Sequence, residues 1–204
     1  MTGVAGPREC AVFVGVSLDG FIARPNGDLD WLMGEGGGES AEYGYNEFIA
    51  GIEAIVMGRK TFEKVVTFDK WYYGEKRVVV LSQRPLDLTL ARARGAVVEQ
   101  MAGTPAEIVS KLAASGATRL YVDGGVTVQR FLRAGLIDRL IISRLPVLIG
   151  QGIPLFGSLP HDIRLNHVAT RTYPGGMVQS EYRAIDSVQM PVGNVSGGSS
   201  SLQS

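Results

Sequence analysis

The sequence predicts an α/β fold: a mainly parallel central sheet with helices on both faces and an antiparallel hairpin at the C-terminal end. Short apolar runs of strand length alternate with amphipathic stretches along most of the chain, a pattern that makes successive strands parallel and joins them by right-handed crossovers. The last two β-rich runs flank Pro174-Gly175-Gly176, a turn that brings strands together antiparallel. Hydrophobic residues make up 45% and charged residues 20% of the 204, enough apolar surface for one core, so residues 1–186 read as a single domain. Residues 187–204 carry no charged side chain and end in NVSGGSSSLQS. Such a composition cannot offset its own ordering entropy and reads as a flexible tail.

Each element has its own local signal. Residues 11–16 are an apolar run short enough for a buried strand. SLDGFIA follows, then Pro25-Asn26-Gly27-Asp28, a turn in which proline presets φ and Asn-Gly accepts positive φ. The GEGGG stretch from Gly34 to Gly38 reads as a loop, and a helix is expected over residues 42–49, ended by Gly51. Residues 54–57 form a second strand, with a helix from Arg59 to Lys64, and RVVVL at 77–81 a third strand rich in β-branched residues. Thr104-Pro105-Ala106-Glu107 is the sharpest helix start: a capping threonine, proline at the first helical position and a glutamate to complete a capping box. Ile108 and Leu112 share that helix's inner face, and Gly116 closes it. A strand at 120–122, a helix at 126–134, a strand at 139–145 and the hairpin of 168–172 with 178–182 complete the reading.

Composition narrows the function. Twenty basic and twenty acidic side chains cancel, so no general attraction to nucleic acid or an anionic membrane is expected. One cysteine excludes an internal disulfide, and two histidines speak against a multi-histidine metal site. No apolar run reaches the roughly 18 residues of a membrane span. The opening MTGVAGPREC has no basic region leading into an apolar one, which predicts no secretory leader and a cytoplasmic protein.

In open parallel sheets ligands sit beyond the carboxyl ends of the strands, and three of those junctions carry chemistry. Gly58-Arg59-Lys60-Thr61 places two cations and a hydroxyl at a helix start, where free N–H groups and the helix dipole attract anions. Asp123-Gly124-Gly125 lets backbone approach a pyrophosphate ahead of another helix, although glycines also make ordinary tight turns at such places. Ser82-Gln83-Arg84-Pro85 offers a hydroxyl, an amide and a guanidinium to a ribose phosphate. Together they would line one edge of the sheet with a basic, glycine-rich crevice.

The order SLDGFIA, VMGRKTFE, VVVLSQRP, YVDGGVTVQRFL and then RAGLIDRLIISRLPVLIGQGIPLF resembles the dihydrofolate reductase-like superfamily. It is most similar to the branch of the riboflavin-biosynthesis reductase domain and its stand-alone relatives. The resemblance runs from about Ala11 to about Ile185. It implies NADPH as cofactor and a hydride transfer of the dihydrofolate reductase or 5-amino-6-(5-phosphoribosylamino)uracil reductase type. By motif, Gly58, Arg59, Lys60 and Thr61 would hold the phosphates, and Ser82, Gln83 and Arg84 the 2′-phosphate. Gly124, Gly125, Val126 and Thr127 would face the pyrophosphate, while Val14, Ile22 and Ala23 would pack against the nicotinamide. Relatives in this branch are commonly homodimers, so a homodimer acting on a small molecule is expected.

The proton donor has two sequence candidates. Glu42 lies where dihydrofolate reductases keep an acid, counting back from Met57, and Asp30 lies in Gly27-Asp28-Leu29-Asp30-Trp31. Both types of position also serve as ordinary helix-start or turn residues. The lysine expected ahead of SLDG in the riboflavin reductase is replaced by Val12-Phe13-Val14-Gly15-Val16. Trp31, Tyr45, Trp71, Tyr72 and Tyr73 either cover the core or wall a cavity for a flat pterin- or pyrimidine-like ring. The competing reading is a catalytically degenerate module that binds NADPH and senses it.

Overall fold

A computed structural model describes residues 8–32 and 43–185. The expected glycine loop at Gly34 to Gly38, the candidate acid Glu42 and the 187–204 tail lie outside the described residues. In chain order the elements are β1 (Glu9–Ser17), β2 (Phe21–Ala23), α1 (Tyr45–Ala50), β3 (Ala54–Gly58), α2 (Arg59–Val65) and β4 (Arg77–Leu81). Then come α3 (Thr89–Ala93), β5 (Val97–Met101), α4 (Pro105–Ala114), β6 (Arg119–Asp123), α5 (Gly125–Arg133) and β7 (Arg139–Leu145). The chain finishes with β8 (Ile153–Pro154), β9 (Leu165–Thr172) and β10 (Val178–Ala184).

Eight strands form one sheet in the order β5-β4-β3-β6-β1-β7-β10-β9. The pairs from β5 to β7 are parallel, and β10 runs antiparallel to both β7 and β9. The pleat divides each central strand between two cores. Val12, Val16, Val56, Leu120, Val122 and Leu140 pack on one face with Ile108 and Leu112 of α4 and Phe131 of α5. Ala11, Ile55, Met57, Val78, Val80 and Tyr121 pack on the other with Phe48 of α1 and Phe62 of α2. Strands buried on both sides have no polar face, which is why they read as continuous apolar runs. The capping box forms as its residues dictate: Glu107 N donates to Thr104 Oγ1 and Thr104 N to Glu107 Oε2.

Some elements carry no sequence signal of comparable strength. α3 is five residues long with one buried side chain, and β5 is an edge strand with a mostly half-exposed pattern. β2 and β8 make a separate two-stranded ribbon, too short for any periodicity.

One irregularity of register decides where a site can form. β1 pairs with β6 only from Glu9↔Arg119 to Ala11↔Tyr121. Beyond that point β1 continues with β7 as far as Ser17↔Leu145, and β6 with β3 as far as Met57↔Asp123. The two central strands therefore part toward their carboxyl ends. At the crotch of the fork Tyr121 Oη donates to Phe13 O at 2.9 Å, satisfying a carbonyl that the ladder no longer reaches.

Candidate active site

The strand-end motifs meet beside this fork. Gly124 adopts φ +87°, ψ 134°, which only glycine enters without strain. A Cβ at Gly124 would run into the Thr61 hydroxyl, and one at Gly58 would lie 2.9 Å from Thr127 Oγ1. Thr61 of α2 thus leans on the turn that begins α5, and Thr127 of α5 leans on the turn that begins α2. Val128 N is the first to close the α5 ladder, onto Gly124 O at 2.9 Å, so the N–H groups of residues 125–127 have no intrahelical acceptor. Across the turn, a Cβ at Gly125 would meet Ile22 Cδ1 at 2.9 Å. Val14 and Ile22 are half-buried against the larger core, Ala23 and Thr127 are buried, and Val126 is 64% exposed.

The third motif is a loop held from both sides. Arg59 donates to Ser82 Oγ at 2.9 Å, Arg84 O at 2.6 Å and Pro85 O at 2.8 Å, with Glu63 Oε1 at 3.2 Å. Gln100 Nε2 donates to Ser82 O and Arg84 O, and Leu86 N donates back to Gln100 Oε1. Arg59, expected at the phosphates, directs its donors to the loop, while Lys60, Gln83 and Arg84 are exposed.

Of the two candidate acids, Asp30 is found in an ion pair at the surface. Its oxygens accept from Arg24 Nε and Nη2 at 2.7 and 2.8 Å, and its side chain is 60% exposed. The Arg24 hydrogen bond holds this carboxyl below its usual value, so it is an ionised partner in a surface ion pair.

A different carboxyl occupies the fork. Asp123 ends β6, receives Tyr73 Oη at 3.1 Å on Oδ2 and Gly124 N at 2.7 Å on Oδ1. The residue as a whole is half-buried, yet its carboxyl sits deep enough that desolvation pushes its pKa up, against the hydrogen bonds from Tyr73, Gly124 and Tyr121. Desolvation, with the nearby Asp123 charge, also raises the phenols of Tyr45, Tyr73 and Tyr121. Burial of this kind favours the protonated form of an acid. An acid directly before the glycine pair was visible in the sequence. The tyrosines that give it meaning come from three separate segments and meet only in the fold.

Beside the cluster runs a groove of about 490 Å³ lined by Tyr45, Asn46, Ile49, Tyr72, Tyr73 and Lys76, among others. Lys76 Nζ donates to Ile52 O at 2.8 Å, pinning the chain end of α1. Trp71 instead packs edge-on to Phe62 and Tyr73, and Trp31 is buried at 9% exposure. The aromatic set thus divides, with Tyr45, Tyr72 and Tyr73 at the groove and the two tryptophans in packing positions.

The RibD C-terminal domain family model matches residues 10–179, and the chain belongs to that family. A putative riboflavin biosynthesis protein from Shewanella sp. PV-4 superposes with a TM-score of 0.80 at 34% identity, over 87% of this chain and 99% of that one. The uncharacterized protein YwjB of Bacillus subtilis (strain 168) is 29% identical over 178 residues, 86% of this chain and 97% of its own length. A dihydrofolate reductase from Enterococcus faecalis, complexed with NADP(H) and RAB-propyl, superposes with a TM-score of 0.58 at 19% identity over 87% and 97% of the two chains. The last likeness concerns the fold alone. The chain therefore has the dihydrofolate reductase-like fold expected from its sequence, in the reductase branch.

Proposed function

We propose that this member of the RibD C-terminal domain family is an NADPH-dependent reductase of a small heterocycle of pterin or pyrimidine type. The observation that carries the reading is the fork between β1 and β6, with two helix starts and a buried acid gathered at its mouth. The residues fit the cofactor. Only glycine at 124 and 58 leaves room for the Thr61 and Thr127 hydroxyls, and the N–H groups of residues 125–127, without an intrahelical acceptor, are the donors a pyrophosphate needs. Gly125, Val126 and Thr127 would bind there, with Gly58, Lys60 and Thr61 on the facing turn. Ser82, Gln83 and Arg84 would take the 2′-phosphate on a loop that Arg59 and Gln100 hold in shape. Val14, Ile22 and Ala23 would wall the nicotinamide. Bound there, NADPH supplies a hydride to the carbon of a C=N or C=O group.

The heteroatom must then gain a proton, and in this reading the Asp123 carboxyl at the end of β6 gives it. Its oxygen loses the proton to the substrate nitrogen or oxygen and is left as a carboxylate, which Tyr73 and Gly124 N stabilise by hydrogen bonds. Titration with NADPH and NADH, followed by cofactor fluorescence and melting temperature, tests the assignment. NADPH should bind more tightly and be oxidised in the presence of a pterin or pyrimidine acceptor; indifference to both cofactors overturns it. Tight NADPH binding without oxidation of any acceptor in the panel would favour the sensing module instead.

A further inference from the structure

We propose that Tyr73 is the proton relay of this site, carrying protons from the groove between α1 and the 71–76 segment to the Asp123 carboxyl. The inference rests on the reductase reading for its purpose but on geometry for its content. Once a cofactor and substrate fill the fork, the carboxylate left by each turnover needs a route to solvent that does not pass through them. Three tyrosines are the titratable groups acting on it among the described residues. Tyr121, on β6 itself, also hydrogen-bonds the carboxyl, but its hydroxyl donates to Phe13 O at 2.9 Å, it is 6% exposed and it does not line the groove. Tyr45, on α1, is coupled to Asp123 through charge alone. Gly124 N–H is an amide and does not shuttle protons. Only Tyr73 both lines the groove and reaches the carboxyl, its Oη 3.1 Å from Oδ2. The step balances without a redox partner: the Oη–H proton passes to Oδ2 while Oη takes a proton from groove water. Tyr73 touches neither reacting atom and acts through Asp123, so it is a positioning and relay residue.

The test uses the full chain labelled with ¹³C at aspartate Cγ and saturated with NADP⁺ to cover the fork. The Asp123 resonance is the one that Asp123→Asn removes. In Tyr73→Phe its titration midpoint should rise, because a donor to the carboxylate is gone, and its proton exchange should slow by about tenfold or more. Tyr45→Phe should leave both unchanged. A midpoint that rises with unaltered exchange makes Tyr73 a hydrogen-bond partner only and overturns the relay, as does no change at all. If NADP⁺ fails to bind, the cofactor reading falls. The relay is then judged on the uncovered protein, by whether Tyr73→Phe slows exchange while Tyr45→Phe does not.

Discussion

The two ends of β6 treat a carboxyl group in opposite ways. At the amino end, Glu53 Oε2 accepts from Thr118 N at 2.7 Å and Arg119 N at 2.9 Å, while Oε1 takes the Arg119 guanidinium at 3.0 Å. The backbone donor of Arg119, followed by that of Thr118, holds Glu53 down at about 2. At the carboxyl end, no cation acts on Asp123 among the described residues, and burial pushes it up. The rest of the amino edge repeats the first pattern: Cys10 N donates to Asp138 Oδ2 at 2.7 Å, and Arg139 pairs with Glu181 at 2.8 Å. A depression of about 290 Å³ at that edge is lined by Glu47 and Arg171 and by Glu9, Arg119, Arg139 and Glu181, the last four held in ion pairs. One edge of the sheet is built for stability. The other keeps its polar groups available, at a cost in stability, as reaction sites do.

The largest expected effect comes from changing the carboxyl end. Asp123→Asn should lower the turnover of bound NADPH by about 10²- to 10⁴-fold while leaving cofactor affinity intact. It should also change how stability responds to pH. An acid raised in the folded state binds more protons there than in the unfolded chain. Stability therefore falls as pH rises from the ordinary carboxylate range through the raised value, and the Asn variant should lose that slope in thermal melts. Unchanged turnover together with lower stability would mean that the two ends do not differ in kind.

Gly124→Ala attacks the same end through the backbone. Forcing an alanine to φ +87° against Thr61 should cost about 1–3 kcal/mol in urea unfolding and weaken NADPH binding in the same protein. Glu53→Gln is the complementary change at the amino end. Loss of the charged acceptor should cost about 1–3 kcal/mol with no change in NADPH affinity by fluorescence titration. Its pH signature has the opposite sign. The Glu53 contribution is complete above the ordinary value of 4.5 and is lost as pH falls toward about 2.

The smallest effect sharpens the cofactor assignment. Arg84→Ala should weaken NADPH by about tenfold, close to 1.4 kcal/mol, and leave NADH nearly unaffected. Arg59→Ala should impair both cofactors together, since it releases the 82–85 loop instead of one phosphate contact. Equal losses for Arg84→Ala would place the 2′-phosphate elsewhere.

Much of the fold was legible because its signals are local. β4 and β7 have the expected bounds, since an apolar β-branched run between turn residues admits few other structures. The α4 start is set by Thr104, Pro105 and Glu107 alone. The hairpin also follows its turn, with β9 and β10 running a few residues beyond the expected ends. By contrast, β5 exists because β4 offers it an edge, and β2 because the segment after β7 returns to pair with it. Neither is encoded in a window of its own residues.

The site divides along the same line. By itself the sequence determined the glycine turns, the basic helix start and the polar loop, because a positive φ, a capping position or an exposed cation depends on residue type within a few positions. Only the tertiary structure decided what those groups do. It set Arg59, expected at the phosphates, against a loop that it holds, and Asp30, a candidate acid, in a surface ion pair. It also turned Asp123 from a turn residue into a desolvated acid under a tyrosine. The physical reason is that a side chain's charge state and free donors are set by the dielectric and the partners around it, and those come from β1, α1 and the 71–76 segment, far away in the chain.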